Sequence, residues 1–130
     1  MIDVDAVVTW VDGADIAHAE KRSRYMKQSS SALHENAINQ HRWVDNNELY
    51  YFLRSIHVNA PWIRRIWLVT DNQTPDLSAF STSFRDKIQI VDHAEIFAGF
   101  TEFLPTFNSL AIESLIWRIA GLADHFLYFN

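Results

Sequence analysis

The sequence predicts an α/β domain of three layers, a mostly parallel sheet covered by helices on both faces. Three observations predict it. Apolar strand-like runs alternate with helix-period stripes, the order that builds parallel sheets. A hydrophobic share of 48% over 130 residues, with 14% aromatics, supplies one core and too little for two. Each strand-like run also closes on polar residues, which gathers polar side chains at the sheet edge where α/β domains bind ligands.

Residues 2–9, rich in Val, predict a buried first strand that enters a turn at Val11-Asp12-Gly13. Residues 15–28 are charged and helix-compatible, with Lys21, Arg22, Arg24 and Lys27 following Glu20. Residues 29–44 are polar, carry His34 and His41, and predict a loop or an irregular surface helix. Asp45-Asn46-Asn47-Glu48 reads as a helix start, with Asp45 accepting from exposed amides and Glu48 reaching back as a capping-box acid. Leu49, Phe52, Leu53 and Ile56 then form an apolar stripe, and Ala60-Pro61 stops the helix. Residues 65–70 predict a second strand ending at Asp71-Asn72, and residues 87–91 a third, closing on Asp92 with His93 next. Residues 109–120 repeat the helical logic through Ile112, Leu115, Ile116 and Ile119, with Gly121 as the C-terminal cap. Residues 126–130 predict a fourth strand. Ending on a strand, the sequence is expected to be one incomplete domain over 1–130, truncated at its C-terminal end. With 126–130 as a central strand, the isolated chain would aggregate or stay partly folded.

Composition removes several function classes. Lys+Arg 11 against Asp+Glu 16 gives a net charge of -5, opposite to the basic footprint of a nucleic-acid binder. The chain has no Cys, hence no disulfide, zinc–cysteine site or Cys nucleophile. Gly13, Gly99 and Gly121 are too scattered for a dinucleotide fingerprint or a P-loop. The acidic start carries no export signal, and Glu113 and Arg118 interrupt the most apolar stretch, so the reading expects a cytoplasmic chain with no integral membrane segment. The histidines His18, His34, His41, His57 and His125 lack metal-ligand spacing.

The strand ends carry Thr9-Trp10-Val11-Asp12-Gly13, Thr70-Asp71-Asn72, Asp92-His93 and Asn130. These blocks resemble the Stealth family, joined by Asp45-Asn46-Asn47-Glu48-Leu49, Ala60-Pro61-Trp62-Ile63-Arg64, Leu104-Pro105-Thr106-Phe107-Asn108-Ser109 and Phe126-Leu127-Tyr128-Phe129-Asn130. The resemblance covers nearly the whole chain, with 16–42 the main uncovered part, and implies the first two Stealth-type blocks on a nucleotide-sugar transferase (GT-A-like) half domain. It further implies transfer of a hexose 1-phosphate from a nucleotide-sugar donor to a hydroxyl of a sugar or growing polysaccharide, in bacterial capsule or exopolysaccharide synthesis. The place of action would be the cytoplasm, including the periphery of the inner membrane. In such families an acid pair after the final Asn holds a divalent metal, so Mg2+ or Mn2+ is expected in the full-length enzyme. That pair and the catalytic residues would lie beyond Asn130, with no metal ligand in this chain, and the fragment alone would be inactive. Two alternatives stand beside this: a nucleotide-sugar glycosyltransferase, and a non-catalytic binding module lacking the metal acids.

The donor-binding candidates are Thr9, Trp10, Asp12, Gly13, Arg54, Asp71, Asn108 and Ser109. The run from Thr9 to Gly13 reads equally as a plain strand end with an Asp-Gly turn. Within the block, Trp10 offers a face to a pyrimidine ring and Asp12 an acceptor for ribose hydroxyls. Arg54 pairs with an acid or reaches a phosphate. Asp71 ends a strand at the ligand edge. Asn108 or Ser109 caps a helix whose first amides attract an anion, or is an ordinary N-cap. Glu113 meets a sugar hydroxyl or pairs with Arg118, and His93, which beside Asp92 could form an acid–base pair, is expected to be structural or to support a neighbouring site residue, because adjacent residues on an extended chain point to opposite sides.

Overall fold

A computed structural model of the chain describes residues 2–11, 47–104 and 109–130. Four strands, β1 (Val4–Thr9), β2 (Ile66–Thr70), β3 (Ile88–Asp92) and β4 (His125–Phe129), form one parallel sheet in the order β3-β2-β1-β4. The helices between them are α1 (Glu48–Asn59), α2 (Thr82–Arg85), α3 (His93–Ile96) and α4 (Ser109–Glu113). The chain winds outward from β1 to β3, then crosses back over β1 to place β4 on its other side. The strand order therefore reverses between β1 and β4, the place where doubly wound sheets open a crevice.

Both faces of the sheet are covered, so the central strands are apolar on both sides. On one face Ala6, Val8, Ile66 and Leu68 pack against Leu49, Leu53 and Ile56 of α1 and Phe84 of α2. On the other, Val7, Trp67 and Val69 pack against Ile96, Phe97, Ile112, Ile116 and Ile119. The alternation of side chains in β1 and β2 divides these two cores, and each buried aliphatic side chain contributes about 2 kcal/mol.

Several expectations change at element boundaries. The first helix starts at Glu48, with Asn47 at the N-cap in a left-handed conformation (φ 63°) and no side-chain cap bond, so Glu48 is the first helical residue and cannot serve as a capping-box acid three residues in. Its charge still suits the positive end of the helix. The helix expected over 109–120 breaks after Glu113. Ser114 Oγ donates to the Ala111 carbonyl (2.7 Å), and the backbone passes to i→i−3 bonding at Leu115 before a single 3-10 turn at Ile116–Arg118. The apolar stripe still reaches the sheet, because a tighter turn keeps Ile116 and Ile119 on one side. Sequence patterning missed α2 and α3, whose four residues each are too short to show a period. Ser81 caps α2 by accepting from the Phe84 amide (3.3 Å). Among the described residues β4 lies at a sheet edge, pairing with β1. The segments expected as a helix over 15–28 and a loop over 29–44 lie outside the described residues, as does Asp45.

Asp5 ties the amino end of the sheet together. Its carboxylate is fully buried and accepts from Arg64 Nε (2.9 Å) and Nη2 (2.8 Å), Trp67 Nε1 (2.8 Å) and the Ala123 amide (2.9 Å). One side chain on β1 thereby joins β2 through Trp67 and the entry to β4 through Ala123. Gly121, at φ +91°, makes the turn into this junction and gives its carbonyl to Arg64 Nη2 (2.9 Å). Burial pushes the Asp5 carboxyl up, but the hydrogen bonds from Arg64, Trp67 and Ala123 and the Arg64 charge outweigh it and hold it below the usual carboxylate value.

Candidate functional site

Parallel pairing brings all four strand ends to one edge, as the polar strand ends anticipated. The β1 terminus divides that edge in two, because consecutive residues there face opposite sides of the sheet. Trp10 packs on the α1 side, with its amide bound to the Val69 carbonyl (2.9 Å). It borders a cleft of about 250 Å³ with Asn47 and Tyr50 at the amino end of α1 and Pro75, Asp76 and Phe80 from the segment after β2. The wall is thus aromatic with polar groups at the rim, the usual make-up of a small-molecule site. Asp76 accepts from the Ser78 amide (3.0 Å), and its carboxyl lies below the usual value through the hydrogen bonds from the Ser78 hydroxyl and amide.

On the α4 side, Thr9 Oγ1 donates to Asn130 Oδ1 (3.1 Å) and lies 3.3 Å from the Tyr128 hydroxyl. This cluster bridges β1 and β4 where the strand order reverses. Burial raises the Tyr128 phenol above its ordinary value; the Thr9 hydrogen bond opposes this and the Glu113 charge adds to it. The β2 and β3 ends are braced by their own residues: the Asn72 amide donates to Asp92 Oδ1 (3.0 Å), and Thr70 Oγ1 donates to Gln73 Oε1 (3.2 Å).

Of the residues singled out in the sequence, the structure brings Thr9, Trp10 and Asp71 to this edge, Asp71 half-buried just past β2. Arg54 is exposed in the middle of α1 and does not line the cleft, since α1 runs from the cleft toward the amino edge of the sheet. Ser109 is the first described residue of α4, while Asp12, Gly13 and Asn108 lie outside the described residues. Arg118 does not pair with Glu113. It donates to the carbonyls of Ile96 (2.8 Å) and Ala98 (2.7 Å) and lies over the Phe100 ring. His93 is buried at the start of α3, in keeping with a structural role, and the His57 ring packs edge-on to Phe84.

Sequence reasoning missed Tyr128 as a site residue and the Asp5–Arg64 pair altogether. A signal existed for the second: a carboxylate within an apolar strand run must be paired once buried. Among the described residues no group of three or more His, Asp or Glu comes together to hold a metal ion. No described helix is long and apolar enough to cross a membrane.

Comparison with known proteins adds the lineage. Residues 3–30 match the family model for Stealth protein CR1, conserved region 1, and residues 42–130 that for CR2, conserved region 2. The unmatched stretch is therefore shorter than the 16–42 read from the sequence. An exopolysaccharide phosphotransferase of Streptomyces coelicolor is 46% identical over 127 residues, 98% of this chain and 20% of its own length. A capsular polysaccharide phosphotransferase of Actinobacillus pleuropneumoniae is 40% identical over 130 residues, 98% of this chain and 34% of its own. Another from Neisseria meningitidis is 38% identical over 128 residues, with 98% of this chain and 33% of its own length covered. The chain thus spans between a fifth and a third of these relatives.

Proposed function

The chain belongs to the Stealth family, and from that premise we propose that it forms the donor side of a sugar-phosphate transferase in capsule or exopolysaccharide synthesis. In the reaction proposed for the whole protein, an acceptor hydroxyl oxygen attacks the sugar-bearing phosphorus of a nucleotide sugar. The pyrophosphate bridge breaks, the hydroxyl proton is lost, and a nucleoside monophosphate leaves while the sugar keeps one phosphate in the new phosphodiester. The acceptor is a sugar or a growing polysaccharide, and the setting is the cytoplasm or the inner face of its membrane.

The observation that carries this reading is the meeting of polar strand ends at the strand-order reversal, in a chain whose relatives are named phosphotransferases. In this arrangement Trp10 offers its ring to the nucleotide base, with Tyr50 beside it in the cleft. The start of α1, on the same wall, directs its first amides toward the donor's phosphates. The described residues do not assemble a ligand set for Mg2+ or Mn2+, so no step is assigned to a metal here. Such an ion is proposed for residues that follow Asn130 in the full-length enzyme.

The test is to incubate the full-length polypeptide with divalent metal, a panel of nucleotide sugars and acceptor, and to identify the released nucleotide. Monophosphate, with phosphorus retained in the product, is the expected result. Diphosphate would make the protein a glycosyltransferase, and release of neither would leave a binding module.

A further inference from the structure

Asp92 joins the end of β3 to one wall of the cleft. By the register of β2 and β3 it stands opposite Thr70, and by the alternation of β3 it leaves the sheet on the same face as Ile88, which packs in the α1-side core. That is the face on which the cleft opens. Asp92 also occupies the N-cap of α3, where a carboxylate ordinarily accepts from its own helix, and it makes no such bond. Its Oδ1 accepts instead from the amide of Asn72 (3.0 Å), two residues beyond β2. Asn72 is one of two non-glycine residues, among those described, with a left-handed backbone (φ 50°), and the other, Asn47, lines the cleft itself. The bond therefore fixes the residue at which the chain turns away from the sheet. From there it enters the segment that gives Thr74, Pro75, Asp76, Leu77 and Phe80 to the cleft. The buried Thr70 hydroxyl braces the same turn by donating to Gln73 Oε1 (3.2 Å).

We infer that Asp92 is a positioning residue for nucleotide binding, which holds residues 72–80 as a ready-made wall of the cleft that Trp10 and Tyr50 also line. It acts through the wall and not by touching the ligand. This rests on the base-site reading above and adds to it a residue from outside the cleft. The wall meets α1 at the Phe80 and Tyr50 rings, whose centroids are 5.3 Å apart, so a shift of the 72–80 segment changes the shape of the cleft directly. A wall already held in place costs nothing to order when the base arrives, whereas a loosened one takes its ordering entropy out of the affinity. A carboxylate serving only α3 would bond to the amides of α3. Its use across the strands, on a left-handed residue at the root of the wall, is what assigns it to the cleft.

The experiment uses the full-length polypeptide, calorimetric binding of uridine and cytidine monophosphate, and amide hydrogen exchange. The variants are measured with whichever nucleotide the unaltered protein binds more tightly. Asp92→Ala removes the acceptor and should weaken binding roughly fivefold, the worth of one hydrogen bond, with faster exchange concentrated in residues 72–80. Asp92→Asn keeps an oxygen that accepts from the Asn72 amide and should bind to within about twofold of the unaltered protein. Asp92→Ser provides an N-cap for α3 on a side chain too short for the brace, and should lose as much affinity as Asp92→Ala. Ile96→Val, a buried change in α3 on the other face of the sheet, reads the effect of lost stability alone: it should lower the melting temperature and leave affinity within about twofold. Unchanged affinity in Asp92→Ala, rescue by Asp92→Ser, no rescue by Asp92→Asn, or an equal loss in Ile96→Val would each overturn the inference and leave the base-site reading standing. Failure of the unaltered protein to bind either nucleotide would overturn both.

Discussion

Both ends of β1 carry polar side chains, and the two ends are built differently. At the amino end Asp5 is sealed from solvent, and four donors from Arg64, Trp67 and the Ala123 amide converge on its two oxygens. At the carboxyl end Thr9, Tyr128 and Asn130 form a partly exposed chain of longer bonds, and Trp10 borders a cleft on the opposite face of the sheet. The first arrangement is saturated within the protein and leaves little capacity for a ligand. The second is looser, with two contacts of 3.1 and 3.3 Å among Thr9, Tyr128 and Asn130. A buried carboxylate whose acceptor capacity is filled fixes the structure around it.

This contrast can be broken most sharply at Asp5. Replacing it with Ala leaves buried Trp67 and Ala123 donors without their acceptor, and Asp5→Ala should lower unfolding stability by about 3 kcal/mol in denaturant melts of the full-length protein. A change under about 1 kcal/mol would mean that the junction is not what holds the three strands together. At the other end, Trp10→Ala should weaken nucleotide binding by about tenfold, as expected from a lost stacking face, while Trp10→Phe keeps most of the affinity; calorimetry reads both. Equal affinities for all three proteins would remove the base from this cleft.

Acid sharpens the same comparison. The Asp5 carboxyl is held below its ordinary value in the folded protein, so its contribution is present above the unfolded carboxylate value and is lost as pH falls through the lower folded one. Stability of the unaltered protein should therefore fall below about pH 4 more steeply than that of Asp5→Asn, which has no proton to take up. Parallel stability–pH curves for the two proteins would contradict this. The smallest effect is expected at Arg54, exposed on α1 and away from the cleft: Arg54→Ala should leave donor affinity within about twofold. A larger loss would return it to the phosphate role that its residue type suggested.

Much of the fold was legible in the sequence because burial imposes a period. The four strands fall within two residues of their expected bounds, and the stripe Leu49, Leu53, Ile56 lands on the sheet as the helical spacing requires. The helix over 109–120 failed for a local reason, since the Ser114 hydroxyl competes for a backbone carbonyl that periodicity does not see. The capping-box role expected of Glu48 failed similarly, because the helix starts at Glu48 itself, behind a left-handed Asn47.

By itself, then, the sequence determined the layers, the strand boundaries, and the fact that polar residues close each strand, because each follows from short-range pattern and the need to bury apolar surface. Only the tertiary structure decided which strand ends meet. The return of β4 to the far side of β1 joins residues 121 positions apart, Thr9 and Asn130, and residues 118 apart, Asp5 and Ala123. No local rule encodes that choice. It depends on which side of β1 offers β4 a partner for its backbone and a covered apolar face, and that exists only once the other strands have packed.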